Sequence, residues 1–178
     1  MMRLVLLSIA FISVSVVVHA QKNVEKTNVI KEGKGIENIS VGKSTMKDVE
    51  KRFGAEYKLI TNKKYSYQMY YGKSGLSFYT CQLDPKKEIF LIEIKSPYKA
   101  KTSKGIELRK STVEDVEEKY GKPERGLRYK GIYFYYNKIN GKQLVTEIDV
   151  MENSGIRQCD DFKTKLKNAK PKKTKGRK

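Results

Sequence analysis

The chain has 178 residues, a formal net charge of +18 at pH 7, two cysteines and one histidine. The histidine, His19, lies in an N-terminal apolar segment, so the rest of the chain has no imidazole to act as a general base or a metal ligand. Ser-His and Cys-His nucleophilic centres are therefore excluded. We expect a protein that is not an enzyme and that uses no cofactor or metal ion.

Residues 1–20 have the organisation of a secretory signal peptide. Arg3 supplies a positive charge, an apolar run of about 15 residues follows it, and Val18-His19-Ala20 precedes polar residues. A membrane-spanning helix needs roughly 20 apolar residues, so a cleaved signal explains this run better than an uncleaved anchor. We predict cleavage after Ala20, no membrane span, and a mature chain that is periplasmic or secreted.

The basic excess is concentrated at the C-terminal end. Residues 162–178 contain nine Lys or Arg and no acid, whereas residues 21–161 have a net charge of about +8. The C-terminal segment has no apolar periodicity, which predicts disorder. It offers a contact for a polyanion such as an anionic lipid or a cell-wall polymer, although Lys-rich ends also occur simply as solvated segments. The export signal disfavours nucleic acid as a partner. The candidate polyanion contacts are Lys170, Lys172, Lys173, Lys175, Arg177 and Lys178.

An internal repeat is the strongest organisational signal in the chain. Residues 44–54, STMKDVEKRFG, align with residues 111–121, STVEDVEEKYG, and six of the eleven positions are identical. The apolar spacing in both segments predicts a short helix that ends at the final glycine. Ser44 and Ser111 are the predicted N-caps, and Glu114 stands where it could complete a capping box with Ser111.

After each helix the apolar period changes from 3.6 to 2, which predicts strands. They are expected near 65–71, 75–80 and 88–95 in the first copy and near 127–130, 131–137 and 143–151 in the second. Short polar loops between them predict antiparallel meanders. In the last strands, the segment Ile92–Lys95 aligns with Thr146–Asp149.

These patterns predict an α+β fold of two tandem α-β-β-β repeats, each a short helix on a three- to four-stranded antiparallel meander. The predicted segments are a signal peptide (1–20), a polar linker (21–34), repeat unit 1 (35–100), repeat unit 2 (101–161) and a basic tail (162–178).

The motif G-x-S-T-x-x-D-V-x-x-x-[FY]-G, followed by three strands, resembles two related groups of proteins. One is the β-lactamase-inhibitory-protein-like fold, with two tandem helix-plus-sheet units, and the other is the BamE/SmpA group of outer-membrane assembly lipoproteins, with one unit. Two copies, and no cysteine after the apolar run for lipid attachment, favour the first. The resemblance covers roughly residues 35–151. It implies a concave sheet surface that grips another protein, and it does not imply inhibition of a β-lactamase.

If the helices cover one face of the sheet, strand alternation leaves a second, helix-free face for a partner. We expect a protein of the cell envelope or extracellular space to bind there. Tyr is frequent at binding hot spots, although it also has a high strand propensity on any exposed face. The alternation also places Val145 on this face and Phe90 on the helix side. The candidate binding residues are Tyr79, Leu91, Glu93, Lys95, Tyr133, Tyr135, Glu147 and Asp149.

Cys81 and Cys159 each follow a predicted strand. Two cysteines in an oxidising compartment most often form a disulfide, and the alternatives are a free buried thiol and an intermolecular link. Adjacent acids such as Asp160-Asp161 are typical of a solvated face, and no acidic run has the ligand spacing of a calcium-binding loop.

Overall fold

The computed structural model describes residues 27–62, 66–123, 125–154 and 159. In this part of the chain the helices are α1 (Met46–Phe53) and α2 (Val113–Tyr120). The strands, in chain order, are β1 (Asn28–Ile30), β2 (Gly35–Ile36), β3 (Ile39–Ser40), β4 (Lys58–Asn62), β5 (Ser66–Tyr71), β6 (Leu76–Cys81), β7 (Ile89–Lys95), β8 (Ala100–Thr102), β9 (Arg128–Tyr129), β10 (Ile132–Ile139) and β11 (Lys142–Met151). The predicted signal peptide (1–20) and basic tail (162–178) lie outside the described residues.

The α+β class is confirmed, and the six predicted strands β5, β6, β7, β9, β10 and β11 are present within two residues of their predicted bounds. Strand β4 was not predicted, because its side chains are largely exposed and give no clear apolar alternation. The predicted polar linker 21–34 is wrong over part of its length. Strand β1 lies within it, pairs in parallel with β8, and buries the Ile30 side chain completely.

Seven of the described strands form one sheet, in the order β4-β5-β6-β7-β11-β10-β9. Every neighbouring pair in this sheet is antiparallel. Strands β7 and β11 join two meanders, so the two halves share a single sheet. The junction places the last strand of each half next to the other at the middle of the molecule.

The hydrophobic core lies on one face of this sheet. Val49 of α1 and Val116 of α2 are fully buried against it, and β1, β2, β3 and β8 complete the covering layer. The sheet contributes side chains that alternate along its central strands, as expected for a half-buried sheet. They are Met69, Tyr71, Leu76, Phe78, Ile89, Ile92, Ile94, Ile132, Phe134, Val145, Ile148 and Val150. The opposite face carries neither helix and is called the helix-free face below.

The two halves pair their strands in the same register. Leu76 of β6 pairs with Ile94 of β7, and Ile132 of β10 pairs with Val150 of β11. Each residue number in the second pair is 56 higher than its counterpart in the first. The same offset relates the register shift in β6–β7 to that in β10–β11.

This register corrects the sequence alignment of the last strands. Ile92–Lys95 was aligned with Thr146–Asp149, which is two residues out of step with the strand pairing. In the structure, Glu93 corresponds to Asp149, and these two residues pair directly across the β7–β11 junction. The error arose because Glu93-Ile94 was matched to the identical pair Glu147-Ile148, whereas the strand pairing relates Glu93 to Asp149.

Each helix also ends in the same way. The Tyr71 hydroxyl donates a hydrogen bond to the Gly54 carbonyl at 2.6 Å, and the Tyr129 hydroxyl donates one to the Gly121 carbonyl at 2.8 Å. These carbonyls belong to the residues that end α1 and α2, where backbone acceptors lack a helical partner. Two matching aromatic clusters surround the bonds, Phe53–Tyr71–Phe78 and Tyr120–Tyr129–Phe134.

The N-cap of each helix is the threonine, one residue after the predicted serine. The Thr45 N–H donates to the Asp48 carboxylate at 2.7 Å, and the Thr112 N–H donates to that of Asp115 at 2.7 Å. Both helices therefore begin with a Thr-x-x-Asp capping box. In this motif the side chains of the threonine and of the aspartate three residues later each accept a hydrogen bond from the other residue's backbone N–H. The bond from the Thr45 backbone lowers the pKa of Asp48.

The predicted capping box of Ser111 and Glu114 is therefore wrong. Ser44 Oγ accepts the Ser40 N–H at 2.9 Å, and Ser111 Oγ accepts the Glu107 N–H at 3.1 Å. Each serine closes the turn that leads into its helix, while Glu114 is exposed. A serine and a threonine are both good N-caps, so the sequence alone does not choose between adjacent positions.

Candidate binding face and its carboxylate cluster

Two β-bulges decide which side chains lie on the helix-free face. In β6–β7, Tyr79 pairs with Leu91 but Thr80 pairs with Ile89, so Phe90 is the extra residue. A bulge interrupts the alternation of side chains along a strand. Phe90 therefore joins Tyr79 and Leu91 on the helix-free face, and Ile89 takes the core position expected for Phe90.

The second bulge has the same effect in β10–β11. Tyr135 pairs with Glu147 and Tyr136 pairs with Val145, which leaves Thr146 as the extra residue. Val145 is fully buried in the core, contrary to its predicted place on the helix-free face. Directly paired residues share a face, so Tyr136 lies on the helix-bearing side and Tyr135 on the helix-free side.

The centre of the helix-free face holds three acids, Glu93, Glu147 and Asp149, which we call the carboxylate cluster. One carboxylate oxygen from each lies within 4.8 Å of the others. Strands β7 and β11 bring them together, because Glu93 pairs with Asp149 and Glu147 is two residues before Asp149 on the same strand face. Lys95 Nζ lies 2.8 Å from Glu93 Oε1 and 3.0 Å from Glu147 Oε2.

Lys95 is the cation that balances part of this charge. Burial alone would lower its pKa, but its hydrogen bonds to Glu93 and Glu147 outweigh that effect and raise the pKa. The Lys95 side chain keeps 46% of its surface exposed, and it reaches the cluster from the solvent side. One ammonium group leaves a net negative charge when all three carboxylates are ionised.

Asp149 is the buried member of the cluster, although the sequence predicted it on an accessible surface. It is 5% exposed, and its Oδ1 atom has no hydrogen-bond partner. Burial, together with repulsion from Glu147 and Glu93, raises its pKa to about 8. Asp149 is therefore largely protonated at neutral pH, which limits the charge that the sheet must hold at this point.

Two tyrosines flank the cluster in matching positions. The Tyr79 hydroxyl donates to Glu93 Oε2 at 3.0 Å, and Tyr135 lies beside the Asp149 carboxyl group. Burial and the nearby carboxylate charge raise the pKa of Tyr79, and burial with the charge of Asp149 raises that of Tyr135 to about 12. Both tyrosines remain hydrogen-bond donors across the physiological range.

Ser77 and Arg128 belong to this surface but were not predicted. Ser77 Oγ lies 3.4 Å from Glu93 Oε1, and the Arg128 guanidinium lies over the Tyr133 ring at 5.3 Å from its centroid. Tyr133, Tyr135 and Arg128 line a groove of about 260 Å³ at the β9–β10 end of the sheet. No sequence signal identified the two residues, since a serine and an arginine in strands are typical of any exposed surface.

The structure joins Cys81 and Cys159 in a disulfide, with Cα atoms 5.2 Å apart. Cys159 packs beside Phe90 and next to Tyr79 and Leu91. Part of the helix-free face is therefore covered by Cys159. The predicted candidates Tyr79 and Leu91 are half-buried here, whereas Tyr135 is 41% exposed.

Among the described residues, no helix is long and apolar enough to cross a membrane. Comparisons of the chain with protein-family models, with curated proteins and with solved structures found no match.

Proposed function

We propose that this chain is an exported, non-enzymatic binding protein that holds a partner protein on its helix-free face. The proposal is carried by the combination, on the sheet face that bears neither helix, of Tyr133 and Tyr135 with a partly buried group of charged side chains. Tyr135 is 41% exposed and borders the groove that also contains Tyr133. Large, rigid tyrosines beside desolvated charges are the composition of protein-binding hot spots.

The matched halves support a binding function of this kind. We interpret them as two tandem α-β-β-β units, on the basis of the shared strand register, the two Thr-x-x-Asp caps and the two tyrosine bonds to the helix ends. Their junction produces a broad continuous surface with the carboxylate cluster at its centre. This interpretation agrees with the proposed resemblance to the β-lactamase-inhibitory-protein-like fold, in which a sheet surface grips another protein.

A second candidate function is attachment to an anionic surface polymer or lipid through residues 162–178. The nine Lys or Arg and the lack of acids in that segment favour it. The candidate contacts from Lys170 to Lys178 lie outside the described residues. Binding of this type depends on many phosphate or carboxylate contacts, and its affinity falls steeply with salt.

A pull-down separates the two functions. The chain beginning at residue 21 would be used to capture proteins from an envelope extract, with and without residues 162–178, at low and moderate salt. We expect one specific protein to be retained by both forms at moderate salt, and the purified partner to bind again with one-to-one stoichiometry. Retention that disappears with the tail or at moderate salt would contradict the sheet-face function and favour polyanion attachment.

A further inference from the structure

The carboxylate cluster has the ligand geometry of a site for a hard divalent cation. One oxygen from each of Glu93, Glu147 and Asp149 lies within 4.8 Å of the others. Ca²⁺ takes several carboxylate oxygens at about 2.3–2.6 Å in a flexible geometry, whereas Mg²⁺ demands a near-ideal octahedron, usually keeps several waters and uses one or two protein carboxylates. Three carboxylates that converge on one point therefore favour Ca²⁺.

A second observation points to a ligand at the same place. Asp149 is 5% exposed, and its Oδ1 atom has no hydrogen-bond partner. A buried carboxyl oxygen without a donor is costly, because it has lost its water and gained nothing in return. A cation held between Asp149 and its neighbours Glu93 and Glu147 would complete the coordination of this atom.

Lys95 already occupies one side of the cluster as a cation. Its Nζ atom bridges Glu93 and Glu147 at 2.8 and 3.0 Å, and nearly half of its side chain is in solvent. The equivalent position in the other half of the sheet, by the offset of 56, is Met151. A lysine at this position is therefore not required by the architecture, and its ammonium group can leave the cluster by a side-chain rotation.

We propose that Glu93, Glu147 and Asp149 form a calcium-binding site in which the Lys95 ammonium is a tethered competitor for the ion. When Ca²⁺ binds, Lys95 moves into solvent. The isolated chain needs no protein partner to bind the ion, so this proposal can fail while protein binding by the helix-free face stands.

Titration calorimetry with CaCl₂ on the chain beginning at residue 21 tests the proposal. We expect one ion per chain at pH 7, with a Kd of about 10⁻⁴–10⁻³ M, the range of extracellular calcium modules. Lys95→Met should lower the Kd at least about tenfold, because it removes the competing charge and keeps the length of the side chain.

Asp149→Asn should raise the Kd at least about tenfold, and Glu147→Gln provides the same test at a more exposed position if the first variant does not fold. The double variant Glu117→Gln and Glu118→Gln is the control, since it removes two exposed acids on α2 and should leave the Kd unchanged. Failure of both the unsubstituted chain and Lys95→Met to saturate at about 10 mM Ca²⁺ would overturn the proposal. So would a Kd that Glu147→Gln leaves unchanged.

Discussion

At the scale of single residues, Asp149 departs most from the behaviour expected of its type. The strand pattern predicted an accessible acid, but the side chain is enclosed by the groups that face it from three strands. Glu93 and Lys95 face it from β7, Glu147 from its own strand β11, and Tyr135 from β10. The enclosure raises its pKa from 3.8 to about 8. Between these values the folded chain holds a proton that the unfolded chain has lost.

This difference predicts a specific dependence of stability on pH. Since the folded state binds the extra proton, the contribution of Asp149 to stability is greatest below about pH 4 and declines as the pH rises towards 8. The decline is at most about 1.4 kcal/mol per pH unit. Asp149→Asn removes it, so the free energy of unfolding of the variant should improve relative to the unsubstituted chain between pH 5 and pH 8. Urea denaturation at both pH values measures this, and parallel pH profiles would contradict it.

At the scale of elements, the tyrosines that cap the helix C-termini are the clearest shared device. The hydroxyls of Tyr71 and Tyr129 supply donors to the carbonyls that end α1 and α2. Tyr71→Phe and Tyr129→Phe should each lower the free energy of unfolding by about 0.5–1.5 kcal/mol, the usual contribution of one such hydrogen bond. Tyr70→Phe, at an exposed neighbouring position, is the control and should change stability by less than about 0.5 kcal/mol. Equal effects of all three variants would show that the two bonds do not stabilise the helices.

The strands show which features of the fold a sequence pattern can predict and which it cannot. The class of fold and the six strands could be predicted because apolar periodicity is a local property that burial imposes on each strand. The faces of Phe90 and Val145 could not be predicted, because a bulge reverses the alternation and leaves no sequence mark of its own. The cluster of Glu93 with Asp149 depends on pairing between β7 and β11, whose partners are more than 50 residues apart. Periodicity carries no information about such distant pairings.

At the scale of the whole molecule, one sheet and one disulfide hold the two halves together. The bond between Cys81 and Cys159 spans 78 residues and connects the chain after β11 to strand β6 of the first half. Substitution of both cysteines by serine should lower the free energy of unfolding by about 2–4 kcal/mol, because the unfolded chain gains freedom. Denaturation of the unsubstituted chain with and without reductant measures the same effect. Identical midpoints under the two conditions would contradict this contribution.

If a partner protein binds the helix-free face, removal of Tyr135 should weaken it, and removal of an equally exposed residue on the other side should not. Tyr135 is 41% exposed on the helix-free face, whereas Leu59 is 48% exposed and pairs with the core residue Met69, which places it on the helix-bearing side. We would measure the affinity of the purified partner for Tyr135→Ala and Leu59→Ala by calorimetry. We predict a loss of at least about tenfold for Tyr135→Ala, equivalent to about 1.4 kcal/mol, and little change for Leu59→Ala. Equal losses, or a loss confined to Leu59→Ala, would contradict binding by the helix-free face.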